Sequence, residues 1–301
     1  MIDSALSLFR VALLLLLTFL AACGSGSSNG SSSSNALSDV AFGAGTFVTV
    51  GKEGRILTST DGTSWSRQAS NVTETLNAAA RGTSAFVVVG DSGVLLTSAD
   101  GVAWQTESVP ASASLQGVVL GAGMLVVVGY DGTVLTSSDG HAWTRRDTGT
   151  TTALHDVTFG DGVFVAVGDE GTVLTSADAI AWSPATSGTT DTLYAVEFGA
   201  GAFVLAGANG TVGRSDDGRV WATRRASFAT LFDVAFAQGQ FVIVGATGTI
   251  LTSPDGATLT SRTSPTNNDL EGVAFGGATF VAVGTGRVIL TSPDAVTWTS
   301  R

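Results

Sequence analysis

From Leu37 onward the chain alternates short apolar runs with small polar turns, in a pattern that repeats. Four apolar segments make up one unit. The first reads Leu-x-Asp-Val-Ala-Phe-Gly or close to it (Leu37 to Gly43, Leu154 to Gly160), and the second Phe-Val-x-Val-Gly (Phe47 to Gly51, Phe164 to Gly168). The third reads Val/Ile-Leu-Thr-Ser (Ile56 to Ser59, Val173 to Ser176), and the fourth follows Trp65 or Trp182. None is long enough for a helix, and Val, Ile, Thr and Phe dominate, so all four are predicted as strands.

The leading Leu recurs at Leu37, Leu76, Leu115, Leu154, Leu193, Leu231 and Leu270, at intervals of 39 residues with a single interval of 38. Seven copies of a four-stranded unit, with no helical patterning, predict an all-β fold. The expected architecture is a seven-bladed β-propeller of four-stranded antiparallel blades, about 39 residues per blade, over residues 37–301. Unit and blade share one frame. Closure is therefore expected without a strand exchanged between the first and last units, and with a short outermost strand in unit seven.

Two neighbouring columns in the first strand differ in size. Ala41, Ala80, Val119, Thr158, Ala235 and Ala274 are small; Phe42, Leu120, Phe159, Phe198, Phe236 and Phe275 are large. Adjacent strand residues point to opposite faces, so each blade is expected to set a large face against a small face of its neighbour. Glu197 interrupts the small column and Arg81 the large one; buried charges of this kind need partners or water.

The turn after the third strand reads Ser-x-Asp-Gly-x-x-Trp, with its acid at Asp61, Asp100, Asp139, Asp178, Asp217, Asp255 and Asp294. Ser and Asp side chains can bond the N–H groups of such a turn, and Gly accepts a positive φ. These acids are therefore expected to be structural. Ala179 and Ala295 replace the Gly, and Leu259 the Trp, so those three turns are expected to be less regular.

This turn resembles the Asp-box, or bacterial neuraminidase repeat, although Asp and Trp stand four positions apart here rather than five. The wider unit, from Phe-Val-x-Val-Gly through Ser-x-Asp-Gly, is similar to the propellers of the photosystem II assembly and stability factor family. The resemblance spans all seven units and implies a propeller. It does not imply one activity, because such repeats occur in hydrolases, assembly factors and envelope proteins alike.

The first 23 residues lie outside the repeat. An apolar run from Val11 to Leu20 follows Arg10; at about 10 residues it is too short to span a bilayer and suits a secretory signal. Leu20-Ala21-Ala22-Cys23 resembles the bacterial lipobox, which implies cleavage before Cys23, diacylation of that residue and attachment to a membrane. Gly24, rather than Asp, resembles lipoproteins sorted to an outer membrane. Cys23 is the single cysteine, so no disulfide competes for it. Residues 24–36 are rich in Gly and Ser and read as a flexible tether.

Composition narrows the partners. Removing residues 1–22 takes away one acid, Asp3, and one base, Arg10, and leaves the net charge at −11. That balance argues against nucleic acid and against anionic lipid headgroups. One Asp per unit, spaced around a ring, cannot converge on one metal ion. His141 and His155 belong to loops at opposite ends of the strands, so no metal site and no cofactor are expected. A sialidase would need a tyrosine nucleophile and an arginine cluster near the axis. The arginines fall mostly on fourth strands (Arg67, Arg145, Arg146, Arg224, Arg225, Arg262, Arg301) at the outer rim, and no catalytic residue is assigned.

Function is sought where the repeat breaks. The residues opening the first strands run Ser38, Asn77, Gln116, His155, Tyr194, Phe232 and Glu271, followed by Asp39, Ala78, Gly117, Asp156, Ala195, Asp233 and Gly272. They are expected to ring one mouth of the central channel. His155, Asp156, Tyr194, Phe232, Asp233 and Glu271 form the candidate partner face, with Tyr130, Asp131, Asp169 and Glu170 in neighbouring turns. Rings that stack and carboxylates that accept hydrogen bonds suit a peptide segment or a sugar. The sequence reads as a monomeric, lipid-anchored protein of the bacterial envelope, acting as a non-catalytic binding or assembly scaffold for a protein or glycan. A carbohydrate-active hydrolase or lyase and a purely structural envelope protein are the alternatives it leaves open.

Overall fold

The structure, a computed structural model, describes residues 35–301. The expected signal sequence, Cys23 and the expected tether up to residue 34 lie outside the described residues. Asn35 and Ala36 are already part of the first blade: Ala36 is buried, its carbonyl accepts from Lys52 N, and Asn35 Oδ1 accepts from Arg55 Nη2 at 2.8 Å.

The strands form seven four-stranded antiparallel sheets, each built from consecutive strands of one repeat unit. Blade 1 starts at Leu37–Gly43, blade 2 at Leu76–Arg81, blade 3 at Leu115–Gly121 and blade 4 at Leu154–Gly160. Blades 5, 6 and 7 start at Leu193–Gly199, Leu231–Ala237 and Leu270–Gly276. The chain is an all-β seven-bladed propeller, and among the described residues no strand is exchanged between blades 1 and 7. The last strand of blade 7, Thr299–Ser300, is two residues long, as is the last strand of blade 2, Gln105–Thr106.

The apolar core lies between blades. Each of the seven buried clusters joins two adjacent blades. The one at the seam packs Leu37, Val40, Phe47 and Leu57 of blade 1 against Val281, Val283 and Ile289 of blade 7. Burial of apolar surface, at roughly 25 cal/mol per Å², therefore closes the ring without a shared strand.

The large first-strand residues share inter-blade clusters with small-column residues of the preceding blade, as Phe159 does with Val119, Phe275 with Ala235 and Phe42 with Ala274. They cover the glycine that ends that blade's first strand: Phe159 over Gly121, Phe198 over Gly160, Phe236 over Gly199 and Phe42 over Gly276. Each of these rings also meets the buried Phe that opens the second strand of its own blade, at 4.5 to 4.7 Å between centroids. Arg81 fills the same position in blade 2. Its methylene stem covers Gly43, while its guanidinium lies over Phe86 and donates to the carbonyls of Ala99 and Ser84. The stem packs like the ring it replaces and the charge reaches the surface.

The turns after the third strands share one geometry. In blade 3, Asp139 Oδ1 accepts from His141 N and Ala142 N, Ser137 Oγ accepts from Gly140 N, and Trp143 Nε1 donates to the Gly140 carbonyl. These N–H donors, with the Ser137 hydroxyl, hold the Asp139 carboxyl down at about 2. The turns at Ala179, Ala295 and Leu259 keep the Asp bonds to backbone N–H but are less regular in one bond each. Ala179 N and Ala295 N make no bond to the Ser176 or Ser292 hydroxyl of the kind Gly140 N makes, and Leu259 has no indole N–H to donate. Ala179 and Ala295 adopt φ of 60° and 59°, their carbonyls accept from Trp182 and Trp298, and Leu259 packs into the core where a Trp stands elsewhere. The Asp and Trp contacts hold the backbone in the left-handed region, against a cost of about 1 kcal/mol for a non-glycine residue there.

Candidate functional site at the channel mouth

The residues opening the seven first strands meet around the axis. Ser38, Asn77, Gln116, His155, Tyr194, Phe232 and Glu271, one from each blade, line a cavity of about 170 Å³ together with Asp39, Ala78, Asp156 and Asp233. Radial repetition accounts for this: one position of the unit, placed seven times around an axis, becomes a ring.

The ring has two unlike halves. On one side the aromatic groups stand in sequence from blade to blade. Tyr130 meets His155 edge-on at 6.1 Å, His155 meets Tyr194 at 5.4 Å, and Tyr194 meets Phe232 at 5.8 Å. Tyr130 is 45% exposed and lies outside the cavity lining, in contact with it through His155. On the other side are the amides and hydroxyl of Asn77, Gln116 and Ser38.

Aspartates at the start of two turns between second and third strands hold the rim in place. Asp169 Oδ1 meets His155 Nε2 at 2.8 Å and accepts from Thr192 Oγ1 at 3.1 Å, tying blade 4 to the linker into blade 5. Asp91 does the same two blades away, accepting from Asn77 Nδ2 and Ser114 Oγ, and Gln116 Nε2 donates to that same hydroxyl at 2.7 Å. The imidazole of His155 is thereby fixed in orientation between Tyr130 and Tyr194.

Below the rim, Asp39, Asp156 and Asp233 form a waist shared with a second, deeper cavity of about 270 Å³. Each carboxylate accepts from the next N–H of its own strand and from an N–H of the following blade. Asp39 takes Val40 N and Ala79 N, Asp156 takes Val157 N and Val196 N, and Asp233 takes Val234 N and Val273 N, all at 2.6 to 2.8 Å. Burial within the channel wall pushes Asp39 up to about 6 and Asp156 to about 7, against the opposing pull of those N–H donors. Asp233 is raised well above the ordinary range, first by burial and then by the carboxylates of Asp39 and Asp156. Deeper still, burial and the neighbouring Asp156 push Glu197 to about 8. At the rim, burial and Asp269 push Glu271 to about 7, while Lys52 acts in the opposite direction.

Of the candidate residues, His155, Asp156, Tyr194, Phe232, Asp233 and Glu271 therefore line one cavity, and Tyr130 meets its His155 edge-on. His141 stands elsewhere, in the turn of blade 3 beside Glu107. Asp39, Asp91 and Lys52 join the site without being singled out by sequence. The repeat column shared with Asp156 and Asp233 is the signal that would have found Asp39. Among the described residues, no group of three or more His, Cys, Asp or Glu side chains is placed to hold a metal ion.

The fold is shared with solved propellers. YCF48 bound to D1 peptide matches with a TM-score of 0.70 and 18% identity, over 88% of this chain and 92% of that one. YCF48 from Cyanidioschyzon merolae matches with a TM-score of 0.67 and 19% identity, over 85% and 95%. The WD40 propeller domain of Doa1 matches with a TM-score of 0.72 and 13% identity, over 86% and 93%. At these identities the likeness is one of fold. No family model and no curated protein matches the chain.

Proposed function

We propose that the protein is a non-catalytic binding scaffold of the bacterial envelope, carried on a lipid at Cys23, which holds an extended peptide segment of a partner protein at the channel mouth. One observation carries this reading: a continuous arc of four rings, three of which line a cavity to which all seven blades contribute. Rigid aromatic groups on a closed scaffold offer large contact area at little entropic cost. The waist aspartates are each engaged by two backbone N–H groups, which suits a structural acceptor better than a free acid or base. A propeller of the same fold has been solved with a peptide bound, which supports a peptide over a glycan. The turns at Asp61 and its six counterparts belong, on this reading, to the Asp-box type and serve the fold.

The test of the binding face is the pair Tyr194→Ala with Phe232→Ala, set against Trp104→Phe in a turn at the far end of the strands. Affinity for a captured partner is expected to fall with the first pair and to hold with the second; the reverse pattern would defeat the placement. Anchoring is tested separately: Cys23→Ser should abolish labelling with a radioactive fatty acid and release the protein from the membrane fraction. Equal labelling of that variant would exclude the anchor.

A further inference from the structure

The two sides of the mouth differ in chemistry as well as shape, and that difference selects a ligand. The lining holds four carboxyl groups and no Lys or Arg. Lys52 acts on Glu271 electrostatically, and no ion pair joins the two among the described residues. The faces of Tyr194 and Phe232 carry negative charge at their π-surfaces, which attracts a cation placed over them and repels an anion. Their rings are 5.8 Å apart at 62°, two walls of a corner beside Glu271 on the adjoining blade. Aromatic walls with a carboxyl group alongside match an alkyl stem ending in positive charge.

We propose that the mouth takes a cationic side chain, the ammonium of Lys or the guanidinium of Arg, presented by an extended peptide segment. Its stem lies against Tyr194 and Phe232, and its charge is directed to Glu271 and on toward the waist aspartates. This rests on the peptide-binding reading above and narrows it. A peptide carrying Asp or Glu at that position is disfavoured, because it would bring a carboxylate to a cavity that already holds four carboxyl groups and no Lys or Arg to pair it. The cavity volume of about 170 Å³ admits one side chain rather than a folded surface.

The test uses the full-length protein and a library of random dodecapeptides displayed on phage. Enriched sequences are synthesised and measured by fluorescence anisotropy, against the intact protein and against Tyr194→Ala with Phe232→Ala. The expected peptides lose affinity with that pair and carry a Lys or Arg whose replacement by norleucine weakens binding about tenfold. Glu271→Gln should reduce that tenfold preference while leaving the affinity of the norleucine peptide unchanged. Peptides that depend on Tyr194 and Phe232 but tolerate norleucine, or that prefer Glu, would overturn the cationic assignment and leave the peptide-binding mouth intact. Enriched peptides that ignore the aromatic pair, or a library from which nothing is enriched, would overturn both.

Discussion

The ring of Phe198 occupies the space that a side chain at Gly160 would need: a Cβ at that glycine would sit 2.0 Å from the Phe198 Cγ. The same overlap recurs from blade to blade, with Arg81 over Gly43 as the aliphatic version. This contact sets how closely neighbouring blades approach the axis, and so the width of the channel whose mouth carries the candidate site. Ala237 stands in the glycine column in blade 6, which shows that the ring of blades can accommodate a single methyl there. A branched side chain demands more. Gly160→Val is expected to cost about 1–3 kcal/mol in urea unfolding, as for other overpacked interiors. A stability equal to that of the unaltered protein would mean that blade spacing is set elsewhere.

The turns after the third strands depend on a buried hydroxyl. Ser137 Oγ accepts from the buried Gly140 N at 2.9 Å and donates to Asp139 Oδ1 at 3.0 Å. Ser137→Ala leaves that N–H without its acceptor and should cost about 1–3 kcal/mol. Peptide affinity at the mouth should be unchanged, since the turn lies at the other end of the strands. Loss of binding at unchanged thermal stability would instead assign these turns to the site.

The channel acids make stability depend on pH with a definite sign. Burial raises Glu197 to about 8, Asp156 and Glu271 to about 7, and Asp39 to about 6 in the folded protein. Between roughly pH 4.5 and 8 the unfolded chain has released these protons while the folded chain retains them, so stability falls as pH rises through that window. The turn aspartates, whose carboxyls are lowered by N–H donors, are ionised in both states there and contribute no slope. Glu197→Gln should flatten the decline and stabilise the protein at pH 8 relative to the unaltered chain. Parallel stability curves for the two proteins between pH 5 and 8 would show that Glu197 is solvated in the fold.

Much of the fold is legible because a repeat states each instruction seven times. The Leu column, the Phe-Val-x-Val-Gly strand and the Ser-x-Asp turn each define a blade position, and disagreement in one unit cannot hide agreement in six. The mouth is legible for the same reason: residues in one column must form a ring, so His155, Tyr194 and Phe232 are placed together by the frame alone. Contacts between columns are not encoded this way. That Phe198 covers Gly160 depends on the stagger between adjacent blades, which local pattern does not specify. Ala179 and Ala295 look disruptive in sequence because a positive φ favours glycine, but the Asp178, Trp182, Asp294 and Trp298 hydrogen bonds around them hold the turn. Asp91 and Lys52 stand in one variable column, where only Asp169 repeats the acid, so only three dimensions reveal that one braces the rim and the other acts on Glu271.

The central claim is that partners bind at the ring of first-strand residues and not at the ring of Ser-x-Asp turns. A photo-crosslinking amino acid placed in turn at Tyr194 and at Val102, which is exposed in the blade 2 turn at the opposite end of the strands, tests it directly in cells. Crosslinking from position 194 to a discrete protein partner, with none from position 102, is the predicted result. A discrete partner captured from position 102 and none from position 194 would contradict the account.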